Sequence, residues 1–187
     1  MRLFLAINLP PDVRRELAAA TADLRACAPE VAWVREPLLH LTLKFLDEQP
    51  DDLLRELQNA IVPVAGSHRE LLMSIRGIGA FPNFRRARVV WIGVAQDPRL
   101  ELLHHDVELA CERLGFELEG RPFRPHVTLG RIKSPLPEAR LRELSRAAKQ
   151  TDYRSDFIVR SVDLMQSNLG PGGPGYTTLV SAALRSD

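Results

Sequence analysis

Two short stretches of this chain set a histidine and a threonine two residues apart in the same apolar frame: His40-Leu41-Thr42-Leu43 and His126-Val127-Thr128-Leu129. Polar and apolar residues alternate, which is the spacing of a β-strand. Each histidine therefore shares a face with its threonine, and the apolar residues turn the other way. Two such faces opposed across a cleft can do acid–base chemistry. An unperturbed imidazole titrates near about 6.5, so around neutral pH one ring can accept a proton while the other gives one up. That combination suits in-line displacement at phosphorus, where a nucleophile loses a proton as a leaving oxygen gains one. Each positioned acid or base contributes roughly 10²–10⁴ in rate. The threonine hydroxyls can donate to the non-bridging phosphate oxygens. Spacing alone does not say which histidine is the base.

Two cations accompany the motifs. Lys44 continues the His40 face, either as a solvated strand lysine or as added positive charge in the cleft. Arg131 has the planar fork that clamps phosphate. Strict alternation turns it away from His126, so it needs a bend or bulge after Gly130, or the strand end, to reach the cleft. Two histidines without Asp, Glu or Cys at ligand spacing are a poor zinc set, so no metal and no cofactor are expected. Asp47 and Glu48 read as solvated turn charges. His68 reads as an inert loop residue, and His104 and His105 as surface or packing residues. Trp33, Trp91 and Tyr176 read as packing residues.

Strands are expected over 2–8, 31–34, 38–46, 70–78, 88–95, 126–132, 156–167 and 176–184. Helices are expected over 11–28, 50–62, 98–115 and 137–149. Gly170 to Gly175 carries so much glycine and proline that it reads as a hairpin loop. Each His motif is followed by a proline turn, a helix (LLREL at 53–57, RLREL at 140–144), a strand, a turn and another strand. This internal repeat points to a single bilobal α+β domain over 1–187. Its two antiparallel β-sheets would be related by a pseudo-twofold, with helices outside and a central cleft.

Bulk properties narrow the partners. The chain has 187 residues, 45% of them hydrophobic, and a formal net charge of +1. That leaves no broad basic field for duplex DNA. No apolar run reaches the about 20 residues of a membrane span, and MRLFLAINLPP reads as a strand and a helix start rather than a secretory signal. The two cysteines, Cys27 and Cys111, form no CxxC and read as reduced thiols of a cytoplasmic protein. A monomer acting on a small anionic substrate or a strand end is the expectation.

The paired motifs HLTL and HVTL resemble the 2H phosphoesterase superfamily. RLFLAINLP, LHLTLKFLDE, GAFPNFRRARVVWIGV, RPFRPHVTLGR and SNLGPGGPGYTTL resemble its bacterial and archaeal RNA 2′,3′-cyclic phosphodiesterase branch, historically called 2′-5′ RNA ligase. The resemblance implies metal-independent hydrolysis of a ribonucleoside 2′,3′-cyclic phosphate to a 2′-phosphomonoester. It implies His126 as proton acceptor, His40 as proton donor, and Thr42 and Thr128 as ligands of the phosphoryl oxygens. Arg131 would help bind the substrate, an RNA end or a small cyclic nucleotide; Lys44 joins it as a substrate-binding candidate only through its place on the His40 face. The same site run backwards would join a 2′,3′-cyclic phosphate to a 5′-hydroxyl. Asn8 stands where such proteins often carry an acidic residue, and Leu5 where some carry an aromatic.

Overall fold

The computed structural model describes residues 1–171 and 173–186. Strand β1 (Arg2–Asn8) leads into helix α1 (Pro11–Ala20), started by Pro11 at its first position. The helix expected over 11–28 breaks at Thr21, whose hydroxyl bonds back to the Leu17 carbonyl at 2.8 Å, and resumes as α2 (Ala22–Cys27). Then follow β2 (Ala32–Trp33), β3 (His40–Glu48) and α3 (Leu53–Ser67). Helix α3 runs past Pro63, where the sequence reading stopped, because Leu57, Ile61 and Ala65 recur every four residues on one buried face. Next come β4 (Leu71–Phe81), β5 (Val89–Val94), α4 (Pro98–Glu112), β6 (His126–Arg131) and α5 (Glu138–Gln150). The chain ends with β7 (Arg154–Val159), β8 (Ser161–Gly170) and β9 (Gly173–Ala183).

The strands form two antiparallel leaves, β3-β1-β8-β9 and β7-β4-β5-β6. They are not separate sheets. The pair Leu41↔Val127 joins β3 to β6, so one sheet of nine strands runs through both leaves, with β2 added alongside β6. The two histidine strands are thus neighbours at the seam. The stretch expected as one strand over 156–167 is two strands in different leaves. It breaks at Arg160, with β7 on β4 and β8 on β1. The β8–β9 ladder extends further than expected, to Gly170↔Gly173; of the expected hairpin loop, Gly172 lies outside the described residues.

Along β1, Leu3, Leu5 and Ile7 join the main core, which also takes in Leu17, Leu57, Ile61, Leu103 and Val107 from the helices. Phe4 and Ala6, on the opposite face of β1, pack with Met165 in a second, small cluster beside Tyr176. One face of the sheet is covered by helices, and the other carries the polar halves of the histidine motifs. Among the described residues no helix is long and apolar enough to cross a membrane.

Candidate active site

Each motif strand obeys strand alternation for four residues and then breaks it. Leu41 and Leu43, and Val127 and Leu129, are buried in the core, while His40, Thr42, His126 and Thr128 are half-buried on the opposite, helix-free face. In β3 the partners of β1 step from Thr42 (opposite Ala6) to Lys44 (opposite Leu5), leaving Leu43 as an extra residue. In β6 the partners of β5 step from Thr128 (opposite Trp91) to Gly130 (opposite Val90), leaving Leu129 extra. Both are β-bulges at the same place in the motif, and each inverts the alternation beyond it.

The bulges reassign both cations. Lys44 turns to the helix side, where its ammonium is buried and bonds Glu108 of α4 at 2.7 Å and the Glu117 carbonyl at 2.8 Å. The expectation that Lys44 shares the face of His40 is therefore corrected: its charge is committed to Glu108, and it is not available to a substrate. Phe45 takes the open face instead, 58% exposed, with its ring 6.4 Å from that of Phe4. In β6 the equivalent inversion turns Gly130 inward and Arg131 outward. A Cβ on Gly130 would lie 2.7 Å from atoms of both Trp33 and Val31, so only glycine fits beneath β2. Arg131 is exposed, and its charge acts on His126, His40 and Tyr176 alike. The bulge that Arg131 required is present, one residue earlier than expected.

The two imidazoles are held identically. His40 Nδ1 bonds the Leu38 carbonyl at 2.7 Å, and His126 Nδ1 bonds the Arg124 carbonyl at 2.7 Å, in each case two residues upstream. A carbonyl can only accept, so Nδ1 carries the proton and Nε2 is the atom left for chemistry. His40 Nε2 lies 3.0 Å from the Thr42 hydroxyl. Burial pushes the pKa of His40 down, against the Leu38 hydrogen bond, and the charges of Arg14, Arg131 and His126 push it further. Burial likewise lowers His126, opposed by its bond to Arg124 and assisted by Arg131. The Leu41↔Val127 pair sets the two motif strands side by side, and the Arg131 charge that lowers both rings agrees with one shared site.

Aromatic rings, two of which (Trp91 and Tyr176) the sequence suggests as packing residues, surround both imidazoles. The His40 ring lies 5.0 Å from Phe4 and 5.3 Å, edge-on, from Tyr176. The His126 ring lies 5.0 Å, edge-on, from Phe81 and 6.4 Å from Trp91. The Trp91 indole lies over Gly79, where an added Cβ would come within 2.4 Å of the ring. Beside His40, the Asn8 amide donates to Asp163 at 2.6 Å, and Ser181 donates to the other oxygen of that carboxylate at 2.6 Å. Arg14, whose guanidinium bonds the Pro37 carbonyl at 2.9 Å, places further positive charge near His40. Phe4, Phe81, Trp91, Tyr176 and Arg14 escape sequence reasoning because their strand partners and helix docking decide where they point. The one local signal is their position on alternating strands.

Two of the three remaining histidines have partners of their own. His104 stacks on Phe123 with ring centroids 3.8 Å apart, and His68 bonds Asp106 at 2.8 Å. Among the described residues, no three His, Cys, Asp or Glu side chains gather as a metal site.

The chain is similar along its length to known proteins. An RNA 2′,3′-cyclic phosphodiesterase of Methanothermobacter thermautotrophicus is 33% identical over 179 residues, covering 96% of each chain. One of Thermus thermophilus is 32% identical over 195 residues, covering 100% of this chain and 92% of the relative. A crystal structure of a Thermus thermophilus protein superposes with a TM-score of 0.80 at 30% identity, covering 100% of each chain. E. coli LigT in complex with 3′-AMP gives 0.76 at 28% identity, covering 98% and 97%. The family model for the 2′-5′ RNA ligase superfamily matches residues 6–171. With both histidine strands inside that match and the fold shared end to end, this chain belongs to the 2′-5′ RNA ligase superfamily.

Proposed function

We propose that this protein hydrolyses 2′,3′-cyclic phosphate ends of RNA or nucleosides to 2′-phosphomonoesters. The observation that carries this reading is the matched pair of imidazoles. Each is tied through Nδ1 to a carbonyl two residues upstream, and both sit in the field of Arg131. The names of the relatives agree with it.

His126 Nε2 accepts a proton from water as the water oxygen attacks phosphorus. The P–O3′ bond breaks, and His40, protonated at Nε2, delivers its proton to O3′. The Thr42 and Thr128 hydroxyls donate to the non-bridging oxygens, and Arg131 offsets their charge. In the free protein both rings are biased towards the neutral form. An anionic phosphate favours the imidazolium, so substrate itself helps charge the acid. Neither transfer calls for a metal. The cleft draws a histidine from each leaf, which supports residues 1–187 acting as one bilobal unit and as a monomer. Cys27 and Cys111 are both free, which supports action in the reducing cytoplasm.

A ³¹P NMR time course on a 2′,3′-cyclic nucleotide tests the proposal. The expected product is the 2′-monophosphate, formed equally well with EDTA present. His40→Ala and His126→Ala should each lose roughly 10²–10⁴ in rate. Formation of the 3′-monophosphate, loss of activity on chelation, or a fully active histidine variant would refute it.

A further inference from the structure

The turn that follows β4 carries three arginines in four residues, Arg85, Arg86 and Arg88. Asn83 fixes this turn, its side-chain oxygen accepting from the backbone N–H groups of Arg85 and Arg86 at 3.0 and 3.2 Å. The three side chains line a depression of about 300 Å³ whose remaining walls, which include Pro82, Leu136 and Leu141, hold no carboxylate. Among the described residues none of the three makes an ion pair, whereas Arg99, Arg121, Arg140 and Arg142 all do. In a chain of net charge +1, this is a concentrated and unneutralised patch.

The turn is tied through the backbone to the strands of the candidate active site. Phe81, whose ring meets His126, accepts a hydrogen bond at its carbonyl from the Arg88 N–H at 2.8 Å. The Arg88 carbonyl in turn accepts from Ile132 at 2.8 Å, one residue beyond Arg131. Arg131 pairs with Val89 across the ladder, and Lys133 lies exposed just past it. Backbone pairing thus ties the depression at the turn to the strand that carries His126 and Arg131. The depression's apolar floor suits ribose or the edge of a base, and its arginines suit phosphate oxygens.

We propose that Arg85, Arg86 and Arg88 form a binding surface for the phosphodiester backbone of single-stranded RNA outside the cleft. The proposal rests on the hydrolase reading above and extends it from a phosphorus atom to a strand. Two strands share the required chemistry: the strand that bears the cyclic phosphate, and a second strand that presents a 5′-hydroxyl in place of water. With that second strand, the 5′ oxygen would attack phosphorus and lose its proton to His126. The P–O3′ bond would break, and O3′ would take the proton of His40, leaving a 2′-5′ phosphodiester.

The test uses the full chain and the exposed triple variant R85Q/R86Q/R88Q, with its fold checked by circular dichroism. On a cyclic mononucleotide the variant should match wild type. If wild type itself leaves the mononucleotide untouched, the hydrolase reading fails, and the binding arm still judges the patch. In that arm, anisotropy of a short fluorescein-labelled RNA should show binding weakened by about 10- to 100-fold. The slope of log affinity against log salt should become shallower by about 2, at about 0.7 per phosphate neutralised on a single strand. A loss of kcat/KM that grows with the length of a cyclic-phosphate oligonucleotide identifies the reacting strand as the occupant. A loss confined to joining of an added 5′-hydroxyl RNA identifies the second strand. Unchanged RNA affinity and salt slope, an equal loss on the mononucleotide, or equal competition by polyglutamate would overturn the proposal.

Discussion

The Lys44–Glu108 pair separates a structural role from a catalytic one, and the two make opposite demands on a single substitution. Lys44→Met keeps the length of the side chain and removes its charge. It deletes a 2.7 Å ion pair between side chains that are each only 7% exposed, together with the 2.8 Å bond to the Glu117 carbonyl. The Glu108 carboxylate stays behind, held by the Glu119 N–H at 3.1 Å and with His104 at 3.8 Å. Removing one partner of a buried pair costs about 3–5 kcal/mol. Total stability for a domain is about 5–15 kcal/mol, so this is a large fraction of it. For a chain of this size it corresponds to a fall of roughly 6–20 °C in Tm. Lys44→Met combined with Glu108→Leu leaves no stranded charge and should recover most of the loss. Urea denaturation of wild type, both single variants and the double variant closes the cycle. At a temperature where all are folded, kcat/KM of Lys44→Met on a cyclic nucleotide should stay within about tenfold of wild type, because the ammonium does not face the cleft. A variant of undiminished stability with kcat/KM reduced by a factor of about 100 would refute the reasoning and return Lys44 to the substrate.

Other outcomes follow from the field around the rings and from the bulges. Because burial and neighbouring cations lower both histidines, the optimum of kcat/KM, which reports the free enzyme, should lie on the acid side of about 6.5. The alkaline limb of kcat should lie higher, since bound phosphate favours the imidazolium; a limb at the same pH or lower would contradict this. Arg131→Ala removes a positive neighbour of both rings, so their NMR titrations should move up in pH, and unmoved rings would place Arg131 elsewhere. Both folded-state pKa values lie below the unfolded value. The stability these neutral rings contribute is therefore complete above about pH 6.5 and lost as pH falls through the folded values. Urea midpoints of wild type should drop across that window, and those of a His40→Ala/His126→Ala variant should drop less. Gly130→Ala sets a methyl group 2.7 Å from Trp33 and Val31; an overpacking cost of about 1–3 kcal/mol and a raised KM are expected as the bulge and Arg131 shift.

The composition of the candidate site was half legible. His40 with Thr42, and His126 with Thr128, could be set on common faces because strand alternation is a local rule that holds over those residues. The repeated order of elements pointed to two leaves for the same reason, since turns and helix starts are written in nearby prolines, glycines and acids. Alternation misplaces Lys44 and leaves Arg131 conditional, because a bulge belongs to a pair of strands. Its register against β1 or β5 cannot be read from β3 or β6 alone. The break at Arg160 has the same origin: nothing between 156 and 167 announces that the chain changes leaf, yet β4 receives one half and β1 the other. By itself, then, the order of residues determined which side chains are candidates for the chemistry and which face of each strand they occupy near the motif. Long-range pairing decided which aromatic rings lie beside each imidazole, which cation is buried and which stays exposed. These depend on contacts between segments far apart in the chain, whose free energies are settled only when the whole sheet has formed.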